Sequence, residues 1–143
     1  MGAIGDLIKA IPTVKVFATK FTKFILENEG IDSKKITMIT VHKKINFPND
    51  VSVFPINVNH SVPDAVMFVL NTKDGAICYT GDFLIDPTMQ KQYAMDLGKV
   101  AYVGKQKVLA LLSESIFSEK IGHTSPTHRL TSHFKNILNH HQE

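Results

Sequence analysis

The chain is 143 residues long with a mass of 15.9 kDa, enough for one domain, or for one domain and the opening of another. Its 43% hydrophobic, 20% charged and 8% aromatic residues are an ordinary globular composition and exclude a disordered or fibrous chain; no apolar run approaches the roughly 18 residues of a membrane-spanning helix. The net charge of +3, from 16 Lys and Arg against 13 Asp and Glu, permits an anionic partner such as nucleic acid without demanding one.

Residues 3–11 place Ile4, Leu7, Ile8 and Ile11 on one face of a helix that Pro12 closes. Residues 14–18 alternate like a short strand, and a second helix is predicted over 20–29, with Phe21, Phe24 and Ile25 on its apolar side and Gly30 as its stop. The β-branched stretches 36–41 and 51–58 read as strands, and 65–72 and 76–80 as a hairpin joined by Lys73-Asp74-Gly75, with the Asp-Gly pair supplying the turn. A loop with Asp86-Pro87 leads to a helix near 90–103. Residues 107–112, KVLALL, have the continuous apolar pattern of a strand buried on both faces. A last helix is expected from about 125 to 141, with Ser125 as N-cap and Pro126 in its first turn. The succession predicts an α/β domain, an α+β mixture built on a mixed sheet. No repeat, low-complexity tract or Gly/Ser linker interrupts it.

Cys78 is the only cysteine, so neither an internal disulfide framework nor a CxxC zinc site can form, which suits a reducing cytosol. It sits mid-strand between Ile77 and Tyr79 and behaves as a small apolar residue. The N-terminal residues have an early acid and no long apolar core, so they do not form a secretory signal; Asp6 stands where a myristoylation motif needs Ser or Thr. Glycines form neither a P-loop nor a GxGxxG pattern.

Strand ends are where α/β folds place their sites. Two segments stand out: Asn59-His60-Ser61-Val62-Pro63-Asp64, and Thr80-Gly81-Asp82-Phe83. A hairpin over 65–80 returns the chain near its starting point, so His60 and Asp82 can converge. An imidazole and a carboxylate are ligands for a borderline cation such as Zn²⁺, and they equally make a His–Asp hydrogen bond or a carboxylate capping turn amides. Two ligands alone make no metal site. The remaining histidines considered read as solvated surface: His123 in a loop, His128 and His133 five apart on a helix, and His140-His141 at a chain end.

From Val53 to Thr88 the sequence reads VFPINVNHSVPDAVMFVLNTKDGAICYTGDFLIDPT, and downstream LALLSESIFSEKIGHT. These segments resemble the metallo-β-lactamase core of the ribonuclease J group of β-CASP nucleases, with the specific motifs between 54 and 124. The resemblance implies part of an αββα sandwich in which two zinc ions activate a hydroxide against an RNA phosphodiester. It implies that His60 is a ligand of one zinc, that Asp82 bridges both, and that Glu114 is the catalytic acidic residue of β-CASP motif A. It divides the chain into a partial metallo-β-lactamase domain, 1–120, and the start of a β-CASP domain, 121–143.

The family's HxHxDH motif stands immediately before a helix opening with Ile-Gly or Met-Gly, and this chain starts at Met1-Gly2-Ala3-Ile4-Gly5. Ile116-Phe117 replaces a usual Thr-Asn, and Pro126-Thr127 a usual Ser-Glu. Two of about seven expected ligands are then present. The resemblance therefore leads us to expect an internal piece of a zinc-dependent exo- and endoribonuclease, cytoplasmic, acting on RNA, homo-oligomeric in its full-length family and without a membrane segment. This piece is expected to be incompetent alone and to expose a strand edge that favours association with another copy. The alternatives are a non-catalytic RNA- or protein-interaction module retaining the fold, and another metallo-β-lactamase hydrolase.

Overall fold

Two strand–helix–strand units organise the computed structural model, which describes residues 2–86, 93–116, 118–122 and 127–140, the last segment by backbone alone at 127–129. The first unit follows helix α1, Ile4–Ala10, and consists of β1 (Val16–Ala18), α2 (Lys20–Asn28) and β2 (Ile36–Met38), with β1 and β2 parallel. Thr19, the N-cap of α2, is followed at helical spacing by Thr22 and Leu26, and Leu26 is 2% exposed against Val16, Ala18 and Ile36. This differs from the expected apolar side: Phe24 is 56% exposed, because the helix turns Leu26 rather than Phe24 toward the two strands. Ile4 and Ile8 of α1 pack on the same cluster, whereas Leu7 and Ile11 remain exposed. Gly30 ends α2 at φ +85°, a left-handed conformation in which Gly30 and Ile31 amides close onto Glu27 and Leu26 carbonyls.

The second unit is a five-stranded sheet, in order β3 (Ile45–Asn46), β4 (Ser52–Asn57), β5 (Val66–Thr72), β6 (Gly75–Tyr79) and β7 (Val108–Leu112). Neighbours are antiparallel through β6; α3, Leu97–Gly104, then crosses over so that β7 runs parallel to β6. The core lies between the sheet and α3, where Ile56, Met67, Val69, Cys78 and Val103 are all at or below 6% exposure. Burying Ile56 and Val69 contributes about 1.5–3 kcal/mol each. An edge-to-face contact between Phe17 and Phe47, centroids 5.4 Å apart, joins the two units.

Several expectations shift in detail. The hairpin closes on the pair Thr72–Gly75, so Lys73 and Asp74 form the turn and Gly75 opens β6 at φ +146°. A Cβ there would lie 2.6 Å from the Lys107 carbonyl, so both the dihedral and the approach of the neighbouring strand require glycine. Helix α3 begins at Leu97 rather than near 90 because Asp96 caps it, its Oδ1 accepting from the Lys99 amide at 2.9 Å. Strand β2 stops at Met38, and the chain turns at His42, φ +64°. The two-residue β3 is too short to leave a period in the sequence.

The expectation for 107–112 is corrected. Strand β7 is exposed along its whole length, with Leu111 at 64% and Leu112 at 54%, because it is the sheet's edge and no described element covers it. Helix α4, Thr127–His140, is exposed from Leu130 onward. Its expected N-cap Ser125 and first-turn Pro126 lie outside the described residues, as do Pro87, Phe117, His123 and His141. The architecture is α/β with a mixed sheet, consistent with a partial metallo-β-lactamase-like sandwich.

Candidate active site

Strands β4, β6 and β7 all finish at one end of the sheet, since Asn57 pairs with Val66, Phe68 with Tyr79 and Tyr79 with Leu112. His60, Asp82 and Glu114 each follow one of these ends by two or three residues. The topology thus delivers three chemically active side chains to one rim from distant parts of the sequence.

His60 Nε2 and Asp82 Oδ2 stand 4.0 Å apart, with the imidazole partly covered and the carboxylate 66% exposed. Both line a cleft of about 300 Å³ whose other wall is Phe17, Ala18, Thr19 and Thr22 from the first unit. Glu114 is close by: its Oε1 accepts a 2.6 Å hydrogen bond from the Phe83 amide, the residue after Asp82. The carboxylate of Glu114 therefore holds the loop that carries Asp82. Thr80 adds a second tie, its amide donating to the Leu112 carbonyl at 3.0 Å and its hydroxyl to the Gly81 carbonyl at 2.7 Å.

The rim's scaffold is Asn59, a residue to which the sequence alone assigns no task. It is 2% exposed; its Nδ2 donates to the Asp86 carbonyl at 2.8 Å, its Oδ1 accepts from the Met95 amide, and its own carbonyl accepts from Leu84 at 3.0 Å. One amide side chain therefore binds the His60 segment to the segment after Asp82 and to the approach of α3. A polar residue directly after an apolar strand, at Val58-Asn59, is the signal that could have marked it.

Two donors 4.0 Å apart lie near the upper limit for sharing one zinc ion, whose bonds to nitrogen and oxygen are about 2.0–2.2 Å. The imidazole is turned otherwise. His60 Nδ1 accepts from the Val62 amide at 2.9 Å, which leaves the proton of the neutral ring on Nε2, facing Asp82. Ligation through Nε2 requires the ring to give up that contact. Among the described residues no group of three His, Cys, Asp or Glu side chains could hold a metal ion. The described donors do not by themselves fit a metal centre; what stands is a His–Asp pair. Cys78, at 3% exposure, has its thiol pushed up by burial and takes no part. His133 and His140 are exposed on α4, away from the rim's three residues in sequence.

No protein-family model matches the chain. Similarity to individual proteins is extensive: the chain is 33% identical over 146 residues to Ribonuclease J 2 of Staphylococcus epidermidis, and 32% identical over 147 residues to Ribonuclease J 2 of Staphylococcus aureus. Each match takes in 99% of this chain and 24% of the relative, so the chain spans about a quarter of the length of these proteins. The likeness read from the NHSVPD and TGDF segments is therefore carried by the whole sequence, and over about a quarter of their length these Ribonuclease J 2 proteins are what the chain is similar to.

Proposed function

We propose that this chain supplies part of the active site of a metal-dependent, RNA-cleaving nuclease of the ribonuclease J type. The observation that carries the reading is the convergence of His60, Asp82 and Glu114 on one rim in a chain similar to Ribonuclease J 2 throughout. In this reading His60 and Asp82 are two ligands of a zinc centre whose remaining donors come from sequence beyond this chain. The zinc, when bound, would supply an activated water and neutralise phosphate charge. The chain's own residues orient: Glu114 fixes the Asp82 loop through the Phe83 amide, and Asn59 keeps His60 in register with it. Residues 1–120 would then form part of a metallo-β-lactamase domain, and 121–143, including the uncovered α4, would open a β-CASP domain. Combined exo- and endonucleolytic action on cytoplasmic RNA, and assembly of the longer protein into homo-oligomers, belong to the same proposal. No described helix is long and apolar enough to cross a membrane.

The test is a chimaera in which this chain replaces the matching quarter of a staphylococcal Ribonuclease J 2 or of a catalytically active homologue. Cleavage of 5′-monophosphorylated RNA that is abolished by Asp82→Asn is the expected result; cleavage indifferent to both Asp82→Asn and His60→Ala would remove the reading. The chain alone should take up zinc weakly and without fixed stoichiometry. Two tightly held ions per chain in an equilibrium dialysis would overturn the two-donor argument. The Val62–His60 hydrogen bond favours a second reading, a non-catalytic module that keeps the fold, and a chimaera that binds RNA without cutting it would select it.

A further inference from the structure

A second cavity, of about 420 Å³, opens on the face of the sheet opposite to the His60–Asp82 cleft. The alternation along β5 separates them: Val66 and Phe68 line the cleft, Val69 and Asn71 the cavity. Its lining includes Lys44, Phe54, Asn71, Lys99, Tyr102 and Gln106. Phe54 and Val69 make an apolar floor. Tyr102 is 66% exposed on α3.

The polar groups have distinct states. Lys99 is taken by Asp96, Nζ to Oδ2 at 2.7 Å, and this contact, with the Lys99 amide, holds the Asp96 carboxyl below its ordinary range. Lys44 has no side-chain partner among the described residues. Asn71 uses its Nδ2 weakly, toward the Val69 carbonyl at 3.4 Å. Further lysines border the same end: Lys105 and Lys107 flank Gln106, and Lys73 caps the β5–β6 hairpin beside the point where the Ala76 amide meets the Lys107 carbonyl. Asp50 and Asp74 are the acids of the adjoining turns, so the end of the sheet keeps a cationic surplus.

A groove that combines one unpaired lysine, further lysines at its border, an exposed aromatic residue and primary amides matches what a single strand of nucleic acid needs: charge for the phosphates, a ring on which a base can stack, and donors and acceptors for base edges. We propose that this groove is a single-stranded RNA-binding subsite, separate from the His60–Asp82 rim. Lys44 and the bordering lysines hold backbone phosphates, Tyr102 stacks a base, and Asn71 and Gln106 reach its edge. The choice of RNA as the ligand rests on the nuclease reading above.

Fluorescence anisotropy of a labelled oligouridylate titrated with the full chain tests it, with circular dichroism confirming that each variant is folded. Tyr102→Ala should weaken binding about tenfold while Tyr102→Phe retains it. Lys44→Ala should lower the slope of log affinity against log salt by about 0.7, the value for one lost phosphate contact on a single strand. Lys34→Ala, at an exposed lysine of the first unit that does not line the groove, should change neither. Failure of the wild-type chain to bind at low salt, binding that survives both groove substitutions, or an equal effect of Lys34→Ala would each overturn the subsite. None of these outcomes bears on the nuclease reading, which cleavage by the chimaera decides.

Discussion

Asn59→Ala is the most informative single change, because one side chain ties three segments of the rim together. Truncation removes the Nδ2 bond to the Asp86 carbonyl and the Oδ1 bond from the Met95 amide at a residue that is 2% exposed. Losing a buried partner costs about 1–3 kcal/mol per bond, so the substitution should destabilise by about 2–4 kcal/mol, a large share of the about 5–15 kcal/mol that holds a domain folded. The chain has no tryptophan, so the assay is urea unfolding followed by far-ultraviolet circular dichroism. Asn59→Asp sharpens the test. It keeps an acceptor for Met95 but sets a carboxylate oxygen against the Asp86 carbonyl, which raises that carboxyl's folded pKa. A group with a raised folded pKa favours the protonated form, so the deficit relative to wild type should shrink as pH falls through that value. A loss below about 0.5 kcal/mol for Asn59→Ala, the ordinary range for surface substitutions, would refute the bridging role.

Asp96→Asn tests the cap of α3. The Asp96 pKa is depressed chiefly by the Lys99 side chain and amide, so its contribution is fully present above the unfolded value of about 4 and is lost as pH falls through the lower folded value. The variant should therefore be less stable than wild type at neutral pH, with the difference closing in acid unfolding experiments below about pH 4; a constant difference would sink the assignment. Cys78 should react with a thiol reagent only through opening of the sheet, at a rate that rises sharply in denaturant, and fast labelling of the folded chain would contradict its burial. Leu111→Glu should reduce concentration-dependent light scattering by the chain with little effect on its unfolding midpoint, since Leu111 is 64% exposed on an unpaired edge. A wild-type chain that scatters no more than the variant at any concentration would show that the edge is not sticky.

What the sequence disclosed depended on whether the physical cause was local. Gly30, the Asp74-Gly75 neighbourhood and the β-branched runs act over a few residues, and the α2 stop, the hairpin and β4 to β6 follow from them. The exact turn was less legible, because what makes Gly75 obligatory is the Lys107 carbonyl, 32 positions away in the numbering, rather than anything in the turn. Strand β7 shows the opposite failure. Its five residues are apolar on both faces, which a period count reads as burial on both faces, yet burial needs neighbours that the strand's own composition cannot supply.

The rim combines both situations. The meeting of His60 and Asp82 was legible because an antiparallel hairpin returns the chain to its starting point, and this depends only on the hairpin being real. Glu114 could not be placed in the same way. It arrives on a parallel strand after a helical crossover, so its distance from Asp82 is set by the register of β7 against β6, including the shift between Ala76 and Ile77. The resemblance to ribonuclease J named it as an acid of the site; the geometry places its carboxylate beside Asp82, where it accepts the Phe83 amide. Glu114 therefore restrains the loop that carries Asp82, and the position of the Asp82 carboxylate on the rim depends on the β7–β6 register through that hydrogen bond.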